Sequence, residues 1–466
     1  MRSPLALSAP GKVLFTGGFL VLDRKHTGLV LGLDARIHVH IEEWEREAVN
    51  GEQSHITSIL VQSPQFQDAK WLYEMREAAI EKSSFVQQIK ENVRSLLTDL
   101  SQKSFTASSN KFVETTLRYV LSYLKARGVS SFTPSKLTIM ADESYYSQSE
   151  TTQAGHDGFA NFGCKLSEAH KTGLGSSAAL VTSLTAALIA WYMHDIGQHL
   201  PQHLIHNLAQ AAHCAAQGKV GSGFDVAAAV FGACLYRRFT PAILEAVGEP
   251  ASEGFAERLH LCVDDLNVDQ KWDVEISSHA VQIPRQLLLL MCDVDCGSET
   301  PGMVRNILAW RKENPVEADL LWNAIQQGSN DLCQGLTRLA QLDGIEQDGF
   351  EEVADTLSTI RSLVREMSAK SHVPVEPEVI TELLDSCTAI PGAVGGVAPG
   401  AGGYDAVALL VQNDARVVKE LEARLDTWKA REAGTGVSIG KVRLLKARQA
   451  YEGVRYEDAT RYANWS

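Results

Sequence analysis

The segment that most constrains this 466-residue chain runs from Lys171 to Met193. Its second part, Ala178 to Met193, is the longest apolar stretch, interrupted by Thr182, Ser183 and Thr185. It falls short of the roughly 18–20 residues that a membrane span needs. The stretch therefore reads as a buried helix. Its first part, Lys171-Thr-Gly-Leu-Gly-Ser-Ser-Ala-Ala-Leu180, sets glycines and hydroxyls at the start of that helix. A helix N-terminus exposes unpaired N–H groups and the positive end of the dipole. Gly173 and Gly175 let the backbone approach an anion closely. The hydroxyls of Ser176 and Ser177 can bind phosphate oxygens or an accompanying Mg²⁺. Taken alone, the pattern also fits a serine-capped helix with glycines for close packing.

Two familiar phosphate loops do not match. A Walker A loop needs Gly-Lys followed by Ser or Thr, and the Gly-Lys pairs at 11–12, 218–219 and 440–441 are each followed by Val. Gly173-Leu-Gly-Ser-Ser-Ala178 satisfies the dinucleotide fingerprint formally. That fingerprint must follow an apolar strand, and Leu166-Ser-Glu-Ala-His-Lys171 is a poor one.

Charge narrows the ligand class. Forty-three basic against fifty-seven acidic side chains give a net charge of −14. That argues against a whole-protein grip on nucleic acid or anionic lipid, but a local nest of N–H groups still binds a small anion. Hydrophobic residues at 45% and charged residues at 21% exclude a disordered or fibrous chain. The eight cysteines include no Cys-x-x-Cys pair and read as reduced thiols. The first ten residues lack the apolar run of a signal peptide, so the expected address is the cytosol.

Strand and helix patterns mix without regular βαβ alternation, which predicts an α+β fold. Around Pro10-Gly11-Lys12 the pattern suggests strand, loop, strand. Leu29 to Leu33 and Ala35 to Ile41 read as two further strands, and 45–70 as a hairpin or long loop. A helix is expected from Asn110 to Gly128, with others over 178–193, 204–217, 225–230, 302–388 and 414–431. Strands are expected at 136–141, 286–293, 406–411 and 437–445. Polar and acidic residues over 240–285 mark the expected seam. It separates an N-terminal unit, 1–270, with its phosphate loop at 171–180, from a C-terminal unit, 271–466, with a glycine-rich loop at 392–405.

Three further motifs carry chemistry. Gly218-Lys-Val-Gly-Ser-Gly-Phe-Asp225 places an acid after three glycines. Such an acid can orient a nucleophile or ligate a metal near phosphate, or simply cap a helix. Gly392 to Gly403 holds six glycines in twelve residues and leads into Tyr404-Asp405. Lys12, after Ala9-Pro-Gly, becomes a point charge for phosphate if an anion site lies beside it.

The order Pro-Gly-Lys, Gly-Leu-Gly-Ser-Ser-Ala, Gly-Ser-Gly-x-Asp, Pro-Gly-Ala-Gly-Gly resembles the GHMP small-molecule kinases. Ala9 to Asp23, Tyr145-Tyr-Ser-Gln148, Lys171 to Ala179, Gly221 to Asp225 and Pro399 to Asp405 are most similar to the fungal branch that acts on 5-phosphomevalonate. The resemblance spans residues 9 to about 411. It implies a two-domain α+β kinase with its site in the cleft between domains. It also implies transfer of the ATP γ-phosphate to 5-phosphomevalonate, on the mevalonate route to isoprenoids and sterols. By the same resemblance Lys12 and Asp225 are catalytic. Asn110, Lys171, Gly173, Leu174, Gly175, Ser176, Ser177 and Ala178 bind ATP. Lys12, Ser147, Gln148, Ser222, Gly402 and Gly403 hold the acceptor. Some relatives supply a helix Glu to the metal before the catalytic Asp, but Pro201 to Phe224 contains no Asp or Glu. Mg²⁺ would then lean on Ser177, Asp225 and the nucleotide phosphates. A related kinase such as one acting on mevalonate, or a non-catalytic sensor on the same fold, is the alternative. His156, His170 and His213 are expected to be surface or core histidines.

Overall fold

The computed structural model describes residues 2–44, 56–77, 84–88, 109–147, 152–193, 199–294, 300–342, 349–429 and 441–465. Two sheets organise them. The larger starts with strands β1 (Leu5–Thr16) and β2 (Gly28–Glu43), joined through a short 3-10 turn at Gly18–Leu22. In hydrogen-bonded order it runs Glu275–Ser278, Cys234–Arg237, β2, Ser135–Ala141, Ile56–Gln62, Lys70–Glu77 and Ser84–Gln88. β1 and Gln449–Ala450 also pair with β2, and Arg455–Glu457 pairs with β1. Among these described strands, Ile56–Gln62 and Ser135–Ala141 run parallel.

Two local expectations need correction here. The Pro10-Gly11-Lys12 segment is not a loop between strands, and 29–41 is not two strands. β1 and β2 are each continuous. The Pro-Gly-Lys motif survives as a break in register: Pro10 opposes Arg36, whereas Lys12 opposes Gly32. Proline has no N–H to give the ladder, and such an irregularity re-aims the side chain that follows it.

Four helices cover this sheet: α1 (Lys111–Ala126), α2 (Ser176–Tyr192), α3 (Gln202–Gln217) and α4 (Phe224–Phe231). α2 is buried on nearly every face, from Ala178 to Tyr192, as its all-round apolar sequence requires. It packs on β1 and β2 below and on α1, α3 and α4 beside it. The Asn110 side chain accepts from the Val113 N–H and fixes the start of α1.

The smaller sheet is antiparallel, in the order Ala393–Val397, Ala406–Gln412, Leu287–Val294, Val442–Leu444. Side chains alternate across a strand. Leu287, Leu289 and Met291 therefore join the core shared with the larger sheet. Leu290, Cys292 and Val294 face a second core with Ile380, Leu383 and Leu421 from helices Glu378–Thr388 and Ala415–Thr427. The expected glycine loop over 392–403 is half strand. Main-chain pairing of Ala393–Val397 with a fully buried neighbour outweighs the weak strand preference of Gly395 and Gly396.

The whole is α+β, as its sequence predicts. Glu275–Ser278 still pairs in the larger sheet, so the chain crosses to the smaller one over 279–286, after the expected 270/271 boundary. It returns to the larger sheet at Gln449. We propose two lobes drawn along these sheets, the first holding both 1–278 and the strands Gln449–Ala450 and Arg455–Glu457. No helix among the described residues is long and apolar enough to cross a membrane.

Candidate active site

The register break in β1 delivers Lys12 to the glycine loop. Its N–H donates to the Leu174 carbonyl at 3.0 Å, and its Nζ donates to the Gly173 carbonyl at 3.3 Å. Gly175 is the N-cap of α2 and sits at φ +84°. A Cβ there would lie 2.8 Å from Lys12 Cε, so glycine is needed both for the backbone and for the lysine stem. The other end of the loop is tied down by Thr172, whose hydroxyl donates to the Ser144 carbonyl at 2.6 Å. The N–H groups of Ser176, Ser177 and Ala178, in the first turn of α2, have no intrahelical acceptor.

A second helix start meets the first. α4 begins after Gly223, and Asp225 lies in its first turn with Oδ1 accepting from the Val226 N–H at 3.0 Å. Arg238 braces the preceding loop. Its guanidinium donates to the carbonyls of Val220 at 3.1 Å, Gly221 at 2.8 Å and Leu22 at 3.1 Å. The Tyr236 hydroxyl donates to the Ser222 carbonyl at 2.6 Å. Lys12 Nζ lies 5.6 Å from the centroid of the Phe224 ring. Burial lowers the Lys12 pKa from its ordinary value, while the charge of Asp225 opposes that shift and favours the cation. Two positive helix ends and Lys12 thus come together, with the Asp225 carboxylate beside them.

His213 on α3 joins the two helix starts. Its Nε2 is 3.1 Å from Ser177 Oγ, and its Nδ1 is 3.9 Å from Asp225 Oδ2. The histidine is buried, as expected, yet its partners are site residues.

Beside the loop lies a cleft walled by Trp71, Phe112 and Leu166 and floored by Asn110, Lys171, Ser176 and Ser177. It adjoins a more open cleft that shares Trp71, Asn110, Phe112, Leu166 and Lys171. Flat apolar walls with few polar groups suit a planar heteroaromatic group, and Ser176 and Ser177 line the end nearest the start of α2. Trp71 escapes sequence reading because it follows a polar segment and belongs to no motif. Arg238 escapes because it acts through backbone carbonyls far away in sequence.

The remaining expected residues have diverse placements. Leu174 and Ala178 are buried, so only their main chain reaches the loop. Ser147 donates to Asp293 at 2.8 Å and links the first lobe to strand Leu287–Val294. Gln148 lies outside the described residues. Gly400 donates its N–H to the Leu14 carbonyl at 2.9 Å, which brings the C-terminal glycine loop against β1. The N–H of Gly402 goes to Pro399 and that of Gly403 to Val375, at 3.0 and 2.9 Å. Neither glycine therefore offers a free amide. His156 is exposed and contacts Trp465, and the His170 carbonyl accepts from the Ser147 N–H.

Comparison with known proteins agrees with this geometry. The family model described as GHMP kinases N terminal domain matches residues 159–233, which carry the glycine loops before α2 and before α4 together with α2, α3 and α4. Phosphomevalonate kinase of Aspergillus fumigatus is 45% identical, the alignment covering 99% of this chain and 98% of the relative. That of Gibberella zeae is 44% identical over the same shares. Among solved structures, Streptococcus pneumoniae phosphomevalonate kinase in complex with phosphomevalonate and AMPPNP superposes with a TM-score of 0.56 at 16% identity. It covers 94% of this chain and 99% of that one. With its loops, helix starts and near-complete alignment to these fungal relatives, the chain belongs to the phosphomevalonate kinases of the GHMP kinase family.

Proposed function

We propose that the site transfers the γ-phosphate of ATP to 5-phosphomevalonate, giving 5-diphosphomevalonate and ADP in the mevalonate pathway. The observation that carries this is the meeting of the α2 and α4 starts around Lys12 and Asp225. The acceptor is a phosphate whose second ionisation lies at about 6, so at neutral pH it is mostly deprotonated. No strong general base is needed. The barrier is the repulsion between two anions brought into reacting distance. Lys12, Lys171 and the first-turn N–H groups of α2 supply positive potential where the two phosphates meet. Asp225 holds Lys12 as a cation and keeps its ammonium at the loop. Arg238 and Tyr236 fix the loop that carries Asp225. The cleft lined by Trp71 and Phe112 takes the adenine, with Asn110 and Lys171 at its edge. Ser147 and Ser222 lie on the acceptor side, with Gly402 and Gly403 forming its wall, and Gln148 is assigned to the acceptor by its sequence motif alone.

The residues fit Mg²⁺ carried in by the nucleotide. Ser177 and Asp225 offer two oxygen donors, and no group of three or more His, Cys, Asp or Glu among the described residues could hold a metal alone. Mg²⁺ binds proteins in this way, through one or two side chains plus substrate phosphates. When bound, it would neutralise charge on the transferring phosphate.

A side-by-side assay of mevalonate, phosphomevalonate, homoserine and galactose with ATP and Mg²⁺ tests the reading. We expect ADP release with phosphomevalonate to dominate. A preference for any non-phosphorylated acceptor overturns it. We place the enzyme in the cytosol, a reading supported by the seven described cysteines, all of them free thiols. A fluorescent fusion found in an organelle would overturn that placement.

A further inference from the structure

We infer that His213 is a positioning residue for phosphate transfer, holding the Ser177 hydroxyl as an acceptor turned toward the nucleotide's phosphates and cation. The inference deepens the kinase reading above and rests on it. His213 is 2% exposed and touches three other helices. Its Nε2 lies 3.1 Å from Ser177 Oγ at the start of α2. Its Nδ1 faces Asp225 of α4 at 3.9 Å, too long for a hydrogen bond but close enough for electrostatic attraction. Its ring rests beside Phe112 of α1, with centroids 5.8 Å apart.

A second histidine on the same helix shows what a structural role looks like. His206 is equally buried, but it bonds its neighbour Asn207 and packs against Phe231 and Trp272. None of these lies at the site. Both ring nitrogens of His213, by contrast, face residues at the two helix starts that hold the phosphates.

The proton assignment follows from Asp225, the carboxylate that faces Nδ1 at 3.9 Å. With the ring proton on Nδ1, Nε2 is an acceptor with one lone pair. The Gln217 amide nitrogen lies 3.3 Å from it and Ser177 Oγ 3.1 Å, so the nearer hydroxyl donates its only hydrogen to Nε2. Both serine lone pairs then remain free to accept. A serine without this partner is free to donate to a phosphate oxygen instead. His213 therefore selects oxygen-donor behaviour at Ser177, which is what a hard cation requires.

Full-length His213→Leu and His213→Gln variants test this. Leucine fills the space without an acceptor, and glutamine restores one near Nε2. Binding of AMP-PNP is measured calorimetrically with Mg²⁺ and with EDTA, alongside kcat, KM and melting temperature. For His213→Leu we expect the affinity gained from Mg²⁺ to shrink about tenfold and kcat to fall about 10- to 100-fold, with the acceptor KM unchanged. His213→Gln should recover most of both. In a Ser177→Ala background, His213→Leu should cost little more, because the two act as a unit. An unchanged Mg²⁺ gain in His213→Leu overturns the inference. So do losses that multiply with Ser177→Ala, or a lowered melting temperature with no rescue by glutamine. The nucleotide arm needs no acceptor, so it reads His213 even if phosphomevalonate proves to be the wrong substrate.

Discussion

Two glycine-rich loops flank the proposed reaction site, and they use glycine in opposite ways. At 173–178 the glycines bend the chain into α2 and leave the first-turn N–H groups without helical partners. At 399–403 the glycines let the chain fold onto itself and onto β1, and the N–H groups of Gly400, Gly402 and Gly403 are spent on Leu14, Pro399 and Val375. The first loop can bind an anion. The second has its glycine amides already paired. Glycine is denser in the second loop, so density is not what makes an anion site; what separates the loops is where the backbone donors point. The difference also sorts residues into those whose loss stops the reaction and those whose loss loosens the fold.

The strongest way to break this contrast is to remove charge from the first loop. Lys12→Met should lower kcat/KM by about 10³-fold or more, as loss of a cation at transferring phosphate does elsewhere. Asp225→Asn should cost a similar amount, and the double variant little more than either, if the acid works by holding Lys12. Steady-state kinetics of the three variants check it, and losses that multiply would make Asp225 an independent base.

Ser177→Ala should come next, with kcat lower by about 100-fold. Its melting temperature should hardly move, since alanine suits a first helical turn. Normal turnover would place the cation elsewhere.

The second loop should answer in stability instead. Gly402 lies at φ +70°, and a Cβ there would sit 2.0 Å from the Val375 carbonyl. Gly402→Ala should cost at least about 1–2 kcal/mol from the backbone conformation alone, seen as a lower melting point. A variant that stays as stable as the parent but loses turnover would erase the distinction between the loops.

The smallest effect sharpens the first loop's electrostatics. Burial lowers the Lys12 pKa and Asp225 raises it. Removing Asp225 takes away only the raising influence, so the Lys12 pKa must fall further. The alkaline limb of kcat/KM should then move to lower pH in Asp225→Asn. A limb that stays put would separate the lysine's charge from Asp225.

Much of this site is legible in the order of residues. Lys12, Gly173 to Ser177 and Asp225 each sit in a short motif, because a backbone cradle for phosphate needs glycines and a helix start within a few consecutive residues. The long apolar run after Ser177 marks α2 equally well, since a helix buried all round has no polar face to display. Local sequence also fixes the Asn110 cap of α1, whose bond spans three residues. Other features depend on residues far apart in the chain. β1 runs unbroken through Pro10 and Lys12 because β2 pairs on both sides of the break. Gly395 and Gly396 become strand because a buried neighbour supplies the ladder. Arg238 matters through carbonyls at 22, 220 and 221, and Trp71 through a cleft it shares with α1. His213 is the sharpest case. Its own helix makes it look like any core histidine, and only the packing of α2 and α4 against α3 brings Ser177 and Asp225 to its two nitrogens. Sequence alone determined the chemistry that needs consecutive backbone groups. Tertiary structure decided the chemistry that needs side chains from separate helices, because a hydrogen bond depends on distance in space, and sequence spacing predicts that distance only within a turn or two of chain.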